Sequence, residues 1–296
     1  MHLAANWNDV LETDFRIIYI DQYKKLPAMV PDIFNVLTSD KAFEKSSSVG
    51  QVPDHQEFTG KVGEVERSQG YDKVITFTEY AAKIMIQHKL ASDDQNRVVN
   101  RFPTGLATSA NRSREKQGAN VFILGTTYEP SDGDGCELFA SDHPSNVSGV
   151  ATQSNESTLT LGATNVETTR LAMYDFYGDI GEQISVNPDS IIIPRSLEET
   201  GYEIINSKGK VDTADNNVNF HQGKYKLMVW DRLTDAENWW MVDYAMMKEY
   251  LIWWNREPIQ MFQDKDSNTL VASYISYYRC GTSWDDWHWG YENIPA

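Results

Sequence analysis

The residues of this chain best suited to chemistry stand in Ser131-Asp132-Gly133-Asp134-Gly135-Cys136-Glu137 and, a few positions on, in Asp142-His143-Pro144. Asp132, Asp134 and Glu137 hint at calcium. The calcium loop, however, needs D-x-[DN]-x-[DN]-G with a glutamate at its twelfth position, and that register fails here. A solvated turn is the commoner origin of such a run. Asp142 beside His143 suggests a catalytic dyad, yet adjacent residues on an extended chain point apart, and a turn again accounts for the pair. The six histidines, at 2, 55, 88, 143, 221 and 288, show no H-E-x-x-H or other ligand spacing. Cys136 and Cys280 lie far apart and fit no metal or redox pattern. There is no G-x-S-x-G, no G-x-x-x-x-G-K-[ST] and no G-x-G-x-x-G opening a helix. Triads need not be close in sequence, so a hydrolase using His143 and a remote nucleophile stays open. The expectation is nevertheless no catalytic, cofactor-binding or metal-binding residue.

A second group is aromatic. Trp284, Trp287 and Trp289 crowd the stretch Trp284-Asp285-Asp286-Trp287-His288-Trp289-Gly290, with Trp253 and Trp254 before them. Indoles flanked by carboxylates suit stacking on a sugar, which makes a carbohydrate-binding module one class to weigh. Indoles are also enriched where proteins meet, because a large rigid apolar surface comes with one hydrogen-bond donor. Subunit interface or core is the stronger expectation, and Trp284, Trp287 and Trp289 are interface candidates.

The elements that hold these residues are bounded by composition. The 296 residues permit one large domain or two modest ones. Hydrophobic residues make up 41% and aromatic residues 12%, enough for a core and against global disorder. Lys and Arg number 26 against 43 Asp and Glu, a formal net charge of -17. So acidic a chain is not expected to grip nucleic acid over a broad surface, since that needs cations to displace phosphate counterions. The cysteine usage suits assembly in a reducing compartment. The start carries Asn6, Asn8, Asp9, Glu12 and Asp14 where a signal peptide has an apolar core. No apolar run approaches the roughly 20 residues that span a bilayer. In a reducing compartment the sequons at Asn111, Asn146 and Asn155 are chance matches.

Residues 1–48 mix apolar and charged types without a steady period and are broken by Pro27 and Pro31, as in an arm. From 50 to 80 come Gly50, Gly60, Gly63 and Gly70, with Phe58, Val62, Val65 and Val74-Ile75-Thr76-Phe77. This predicts a long two-stranded hairpin with Ser68-Gln69-Gly70-Tyr71 near a bend. Such a hairpin holds too little apolar surface to stand alone. It must fold back on its own domain or lie on a neighbour, and Phe58, Val62, Val65 and Tyr71 are candidates for that contact. Ala91-Ser92-Asp93-Asp94 predicts a helix start, running to about Leu124 with a kink or break at Pro103 and Gly105. Residues 128–158 read as loop. Thr164 and Glu167 form a capping box, followed by a stripe of Val166, Thr169, Met173, Phe176 and Ile180. Ile191-Ile192-Ile193 reads as a short buried strand, and Ser196 with Glu199 as a second capping box opening a helix to about Asn206. Strands are expected at 225–230, 239–244, 250–254, 259–262 and 270–279. The order is that of an α+β or α/β protein.

Four stretches, in order, carry a resemblance. They are Gly60-Lys-Val-Gly-Glu-Val with the run from Phe77-Thr-Glu-Tyr to Ser92-Asp-Asp94; Asp134-Gly-Cys-Glu-Leu-Phe-Ala-Ser-Asp-His-Pro144; Asn187-Pro-Asp-Ser-Ile-Ile-Ile-Pro194; and Ser283-Trp-Asp-Asp-Trp-His-Trp-Gly-Tyr-Glu-Asn-Ile-Pro-Ala296. Over about 50–296 the chain resembles the major capsid proteins of tailed bacteriophages with the Hong Kong 97-type fold, nearest the branch of Mu-type major head subunits. The second and fourth stretches are the most specific, resembling "DG-x-x-LF…HP" and the closing "D-W-R-G-x-Y-K-N-x-G-A". Three positions depart. His288-Trp289 stands where an arginine often precedes the glycine, Glu292 replaces a usual lysine, and Pro295 replaces a glycine, so a basic contact is missing or relocated.

The resemblance implies an α+β subunit. Its parts would be an N-terminal arm (1–48), an extended loop (49–80) lying over an adjacent subunit, a peripheral domain with the long helix (81–158), a central axial domain (159–245), and C-terminal strands returning to the peripheral domain (246–296). It implies a structural protein without cofactor, not an enzyme, self-assembling as hexamers and pentamers into an icosahedral shell. That shell would enclose double-stranded DNA without sequence-specific binding, assemble in the host cytoplasm without a membrane, and involve scaffolding, portal and decoration proteins. An encapsulin-like compartment is the alternative that shares the fold.

Overall fold

The computed structural model describes residues 15–49, 55, 57, 60, 69–87, 89, 99, 101–127, 134–145, 151–178, 181–209, 218–266 and 268–295. Its middle layer is a five-stranded sheet, in the order β5 (Glu156–Ser157), β11 (Gly290–Asn293), β8 (Trp239–Val242), β6 (Ser190–Ile193) and β7 (Lys226–Val229). β6 runs parallel to β7 and antiparallel to β8, and β8 is antiparallel to β11. Side chains alternate along a strand. Ile191, Ile193, Trp239 and Met241 therefore face a core made with the helices Ala163–Tyr174 and Glu198–Asn206. Ile192, Trp240 and Val242 face the opposite core, made with the long helix Arg101–Ile123. A sheet covered on both sides needs unbroken apolar strands, which is why Ile191-Ile192-Ile193 carries no polar residue.

On the far side of the long helix lies a four-stranded sheet in the order β1 (Asn35–Thr38), β9 (Leu251–Asp266), β10 (Val271–Trp284) and β4 (Thr78–Gln87). β9 and β10 form one long hairpin, where the sequence suggests two short strands on either side of Pro258. The register shifts between Tyr277/Arg279, opposite Gln260 and Glu257, and this bulge takes in the proline that cannot donate to the ladder. A third core joins Phe15 and Tyr19, on the helical residues 15–25, to Leu106, Ala107, Ile86, Met261 and Tyr274.

Several local expectations change. The long helix begins at Arg101 and is continuous past Pro103 and Gly105. Pro103 sits in the first turn, where no backbone N–H is needed for the helical ladder. The predicted start at 91–94 lies outside the described residues. Neither predicted capping box forms. Gly162 precedes the helix Ala163–Tyr174 without a side-chain cap, and Glu167 pairs with Arg170 instead. Ser196 donates to the Ala236 carbonyl at 2.6 Å. A helix, Tyr244–Tyr250, stands where the sequence suggests two strands meeting, and Asp243 caps it by accepting from the Met246 N–H at 3.1 Å.

Candidate functional site: a rooted ribbon and a tryptophan sandwich

The two-stranded ribbon differs from the predicted hairpin. Its strands are β2 (Phe43–Val49) and β3 (Gln69–Thr76), paired antiparallel from Phe43↔Thr76 to Val49↔Gln69. Of the predicted bend Ser68-Gln69-Gly70-Tyr71, Gln69 to Tyr71 open a strand instead, and Ser68 lies outside the described residues. The first strand falls within residues read as arm. The sequence signal was weak because Phe43-Glu-Lys-Ser-Ser-Ser-Val49 is mostly polar. The pairing is carried by Lys45 against Asp72 at 3.0 Å and by the Ser47 hydroxyl on the same carboxylate.

Among the described residues β2 and β3 pair in no sheet but their own. The ribbon is tied to the body at its root. The Ser46 hydroxyl donates to Asp285 at 2.6 Å, and Lys73 Nζ donates to the Trp284 carbonyl at 2.9 Å while lying 5.1 Å from the Trp284 ring centroid. Burial pushes the Lys73 ammonium below its ordinary range, against the pull of Asp134, Asp285 and Asp286. Gly281 of β10 permits this approach, since a Cβ there would meet the Thr76 carbonyl oxygen at 3.0 Å.

Beside the root, the two most specific sequence stretches come together. Trp287 is stacked between His143, at 4.1 Å and 9°, and His288, at 3.7 Å and 19°. Phe176 closes the edge at 5.2 Å. Asn155 fixes one side: its amide nitrogen donates to the carbonyls of Leu138 and Gly290 at 2.9 and 3.3 Å, so its oxygen accepts from the Ala140 N–H at 2.8 Å and from His143 Nε2 at 3.1 Å. His143 Nδ1 faces Asp134 Oδ2 at 2.9 Å. Burial alone would raise the Asp134 carboxyl, but the His143 contact, the Cys136 N–H and the Lys73 charge outweigh it and hold it below the usual range. His288 repeats the pattern, with Nε2 donating to the Tyr177 carbonyl at 3.0 Å and Nδ1 on Asp286, whose carboxyl is likewise held low against its burial. Asn155 carries no sequence signal for this role beyond a chance sequon; its side chain is fully buried.

The interface candidates separate. Phe58, Val62 and Val65 lie outside the described residues. Tyr71 is half-buried on β3. Trp289 is fully buried against Phe122 and Phe139, and Trp284 is 3% exposed under Lys73. These two indoles are core residues of the subunit with almost no surface left for another chain. Trp287 is half-buried, its two faces already covered by histidines, which leaves no platform for a sugar ring.

The α+β body thus carries a separately paired ribbon, tied to it at Asp285 and Trp284. The model of the phage capsid protein family matches residues 70–293, and the chain belongs to that family. No curated protein sequence matches it. Its fold is similar to the procapsid subunit of bacteriophage JBD30, with a TM-score of 0.55, 13% identity, and coverage of 99% of this chain and 77% of that one. It is similar to the capsid subunit of the cyanophage P-SCSP1u, with a TM-score of 0.62, 10% identity, and coverage of 91% and 88%. It also resembles the capsid subunit of an empty GTA particle, with a TM-score of 0.58, 13% identity, and coverage of 91% and 90%. The fold is the α+β, Hong Kong 97-type capsid fold, and the chain is a structural major capsid protein, not an enzyme.

Proposed function

We propose that this chain is the major head subunit of a tailed phage of the Mu-type branch, assembling with its own copies as hexamers and pentamers into a closed shell around double-stranded DNA. The observation that carries the reading is the ribbon, whose strands pair only with each other among the described residues and whose base rests on Asp285 and the Trp284 carbonyl. A ribbon of two strands is marginal in water, so a neighbouring subunit supplies the surface it needs. Tyr71, Phe58, Val62 and Val65 are the side chains proposed to meet that neighbour. Several weak contacts per subunit, made together, lock a shell through effective concentration. The Mu-type assignment rests on the stretches 134–144 and 283–296, which the fold brings into contact through His143 and Trp287. The net charge of -17 suits a container that does not hold its DNA tightly. Assembly in the host cytoplasm, with scaffolding, portal and decoration proteins, belongs to the same reading.

Negative-stain microscopy of the purified protein tests it. Closed particles of uniform size are expected, and deletion of residues 50–68 should abolish them. A compact monomer that forms no particles at any concentration overturns the proposal.

A further inference from the structure

His143 is held so that both ring nitrogens face acceptors. Asn155 Oδ1 is fixed as an acceptor by the amide's two donated bonds, which places the ring proton on Nε2. Nδ1 then directs its lone pair at the Asp134 carboxylate 2.9 Å away. Two electron-rich atoms in contact require a positive charge between them, either a second ring proton or a cation. His288 and Asp286 repeat the geometry with no third donor beside them among the described residues, but at His143 there is one. Asp134, Cys136 and His143 each offer one ligand atom, and these atoms lie within 4.8 Å of one another.

We propose that Asp134, Cys136 and His143 form a site for a divalent transition-metal ion of the zinc class, with a water as the fourth ligand. One nitrogen, one carboxylate oxygen and one sulfur make a donor set for a borderline-soft ion. Ligand bonds of about 2.0–2.3 Å at tetrahedral angles put donor atoms roughly 3.3–3.7 Å apart, so the group closes on an ion by small side-chain rotations. The outer shell is already in place. A metal-bound imidazole donates its other N–H to a fixed oxygen, here Asn155 Oδ1, and Asp134 Oδ1 is oriented by the Cys136 N–H at 3.2 Å. Binding takes the thiol proton of Cys136 into solvent and leaves the thiolate on the metal. The ion then fastens the 134–143 turn beneath Trp287. Lys73 lies near enough to act on Asp134 through its charge, which sets the affinity but adds no ligand.

The test uses the full chain, freed of metal with a chelator and then given Zn²⁺ or Co²⁺ alone. One Zn²⁺ per chain should be retained on desalting, and Co²⁺ should produce a sulfur-to-metal charge-transfer band absent in Cys136→Ser. Cys136 is partly exposed, whereas Cys280 is buried and serves as the internal control. Equimolar Zn²⁺ should slow alkylation of Cys136 at least about tenfold, through loss of free thiolate, and leave Cys280 unchanged. This measurement needs no variant. If Zn²⁺ does not protect Cys136, or if the cobalt band survives Cys136→Ser, the site is not there and a proton fills the gap between His143 and Asp134. Neither result bears on whether the chain builds shells.

Discussion

Trp287 lies flat against His143, the two rings 4.1 Å apart and 9° from parallel, although the two residues stand 144 positions apart in the chain. With His288 on its other face, the indole joins the loop before β11 to the turn that follows the long helix. Trp287→Ala removes both stacks and the edge contact with Phe176. A loss of about 3 kcal/mol is expected, at the low end for truncating a buried aromatic because the ring is half-exposed. Urea unfolding followed by far-UV circular dichroism measures it. A loss below ~1 kcal/mol would show that the sandwich does not hold the turn.

Glu292, where the resembling family usually has lysine, is 1% exposed in β11 and its Oε2 has no hydrogen-bond partner. Burial, with repulsion from Glu156 and Asp235, pushes its carboxyl up to about 8 from an ordinary 4.5. Between those two values the unfolded chain has released the proton and the folded chain keeps it. Folding stability therefore falls as pH rises through this window, by up to about 1.4 kcal/mol per unit. Glu292→Gln mimics the neutral acid and should match the parent near pH 4.5 but exceed its melting temperature by several degrees at pH 8. Equal pH slopes for the two proteins would refute the assignment of a neutral, buried carboxyl.

Glu115 of the long helix is a different buried carboxyl, provided with donors. It accepts from the Met29 and Val30 N–H groups at 3.0 and 3.2 Å and from Trp230 Nε1 at 3.2 Å, so it caps the short helix Val30–Ile33. Its carboxyl is still raised by burial, which these hydrogen bonds only partly offset. Glu115→Ala strands three donors and should cost about 2–4 kcal/mol. Glu115→Gln, which keeps one acceptor, should cost less. Chemical denaturation of the pair gives the ranking, and an alanine variant as stable as the parent would contradict it.

The ribbon root predicts a separation of folding from assembly. Ser46→Ala with Lys73→Met removes the bonds to Asp285 and the Trp284 carbonyl but leaves the cores intact. Each lost bond is worth about 1 kcal/mol, so the melting temperature should move by only a few degrees while the yield of closed particles drops. Gly281→Ala, which would press a methyl group on Thr76, should act in the same direction. Unchanged particle yield from all three substitutions would show that the root does not aim the ribbon.

By itself the amino-acid order determined that Ile191-Ile192-Ile193 is a short buried strand and that 239–244 holds another; the fold covers both on two faces. The apolar runs at Ile191-Ile192-Ile193 and Trp239-Trp240-Met241-Val242 admit no water on either side. The stripe through Val166, Thr169 and Met173 likewise announced its helix, which ends at Tyr174, short of Phe176, while Ile180 lies outside the described residues; the His-Pro and tryptophan stretches marked the family. Tertiary structure alone decided the partner of Gln69–Thr76. Pairing across a long polar connection depends on Lys45, Ser47 and Asp72 meeting in space, which no periodicity records. It also decided that Trp284 and Trp289 are core rather than surface, since a large apolar ring with one donor suits both places. And it brought Cys136, His143 and Asp134 to one point, because ligand sites are made by distances between side chains and not by spacing along the chain.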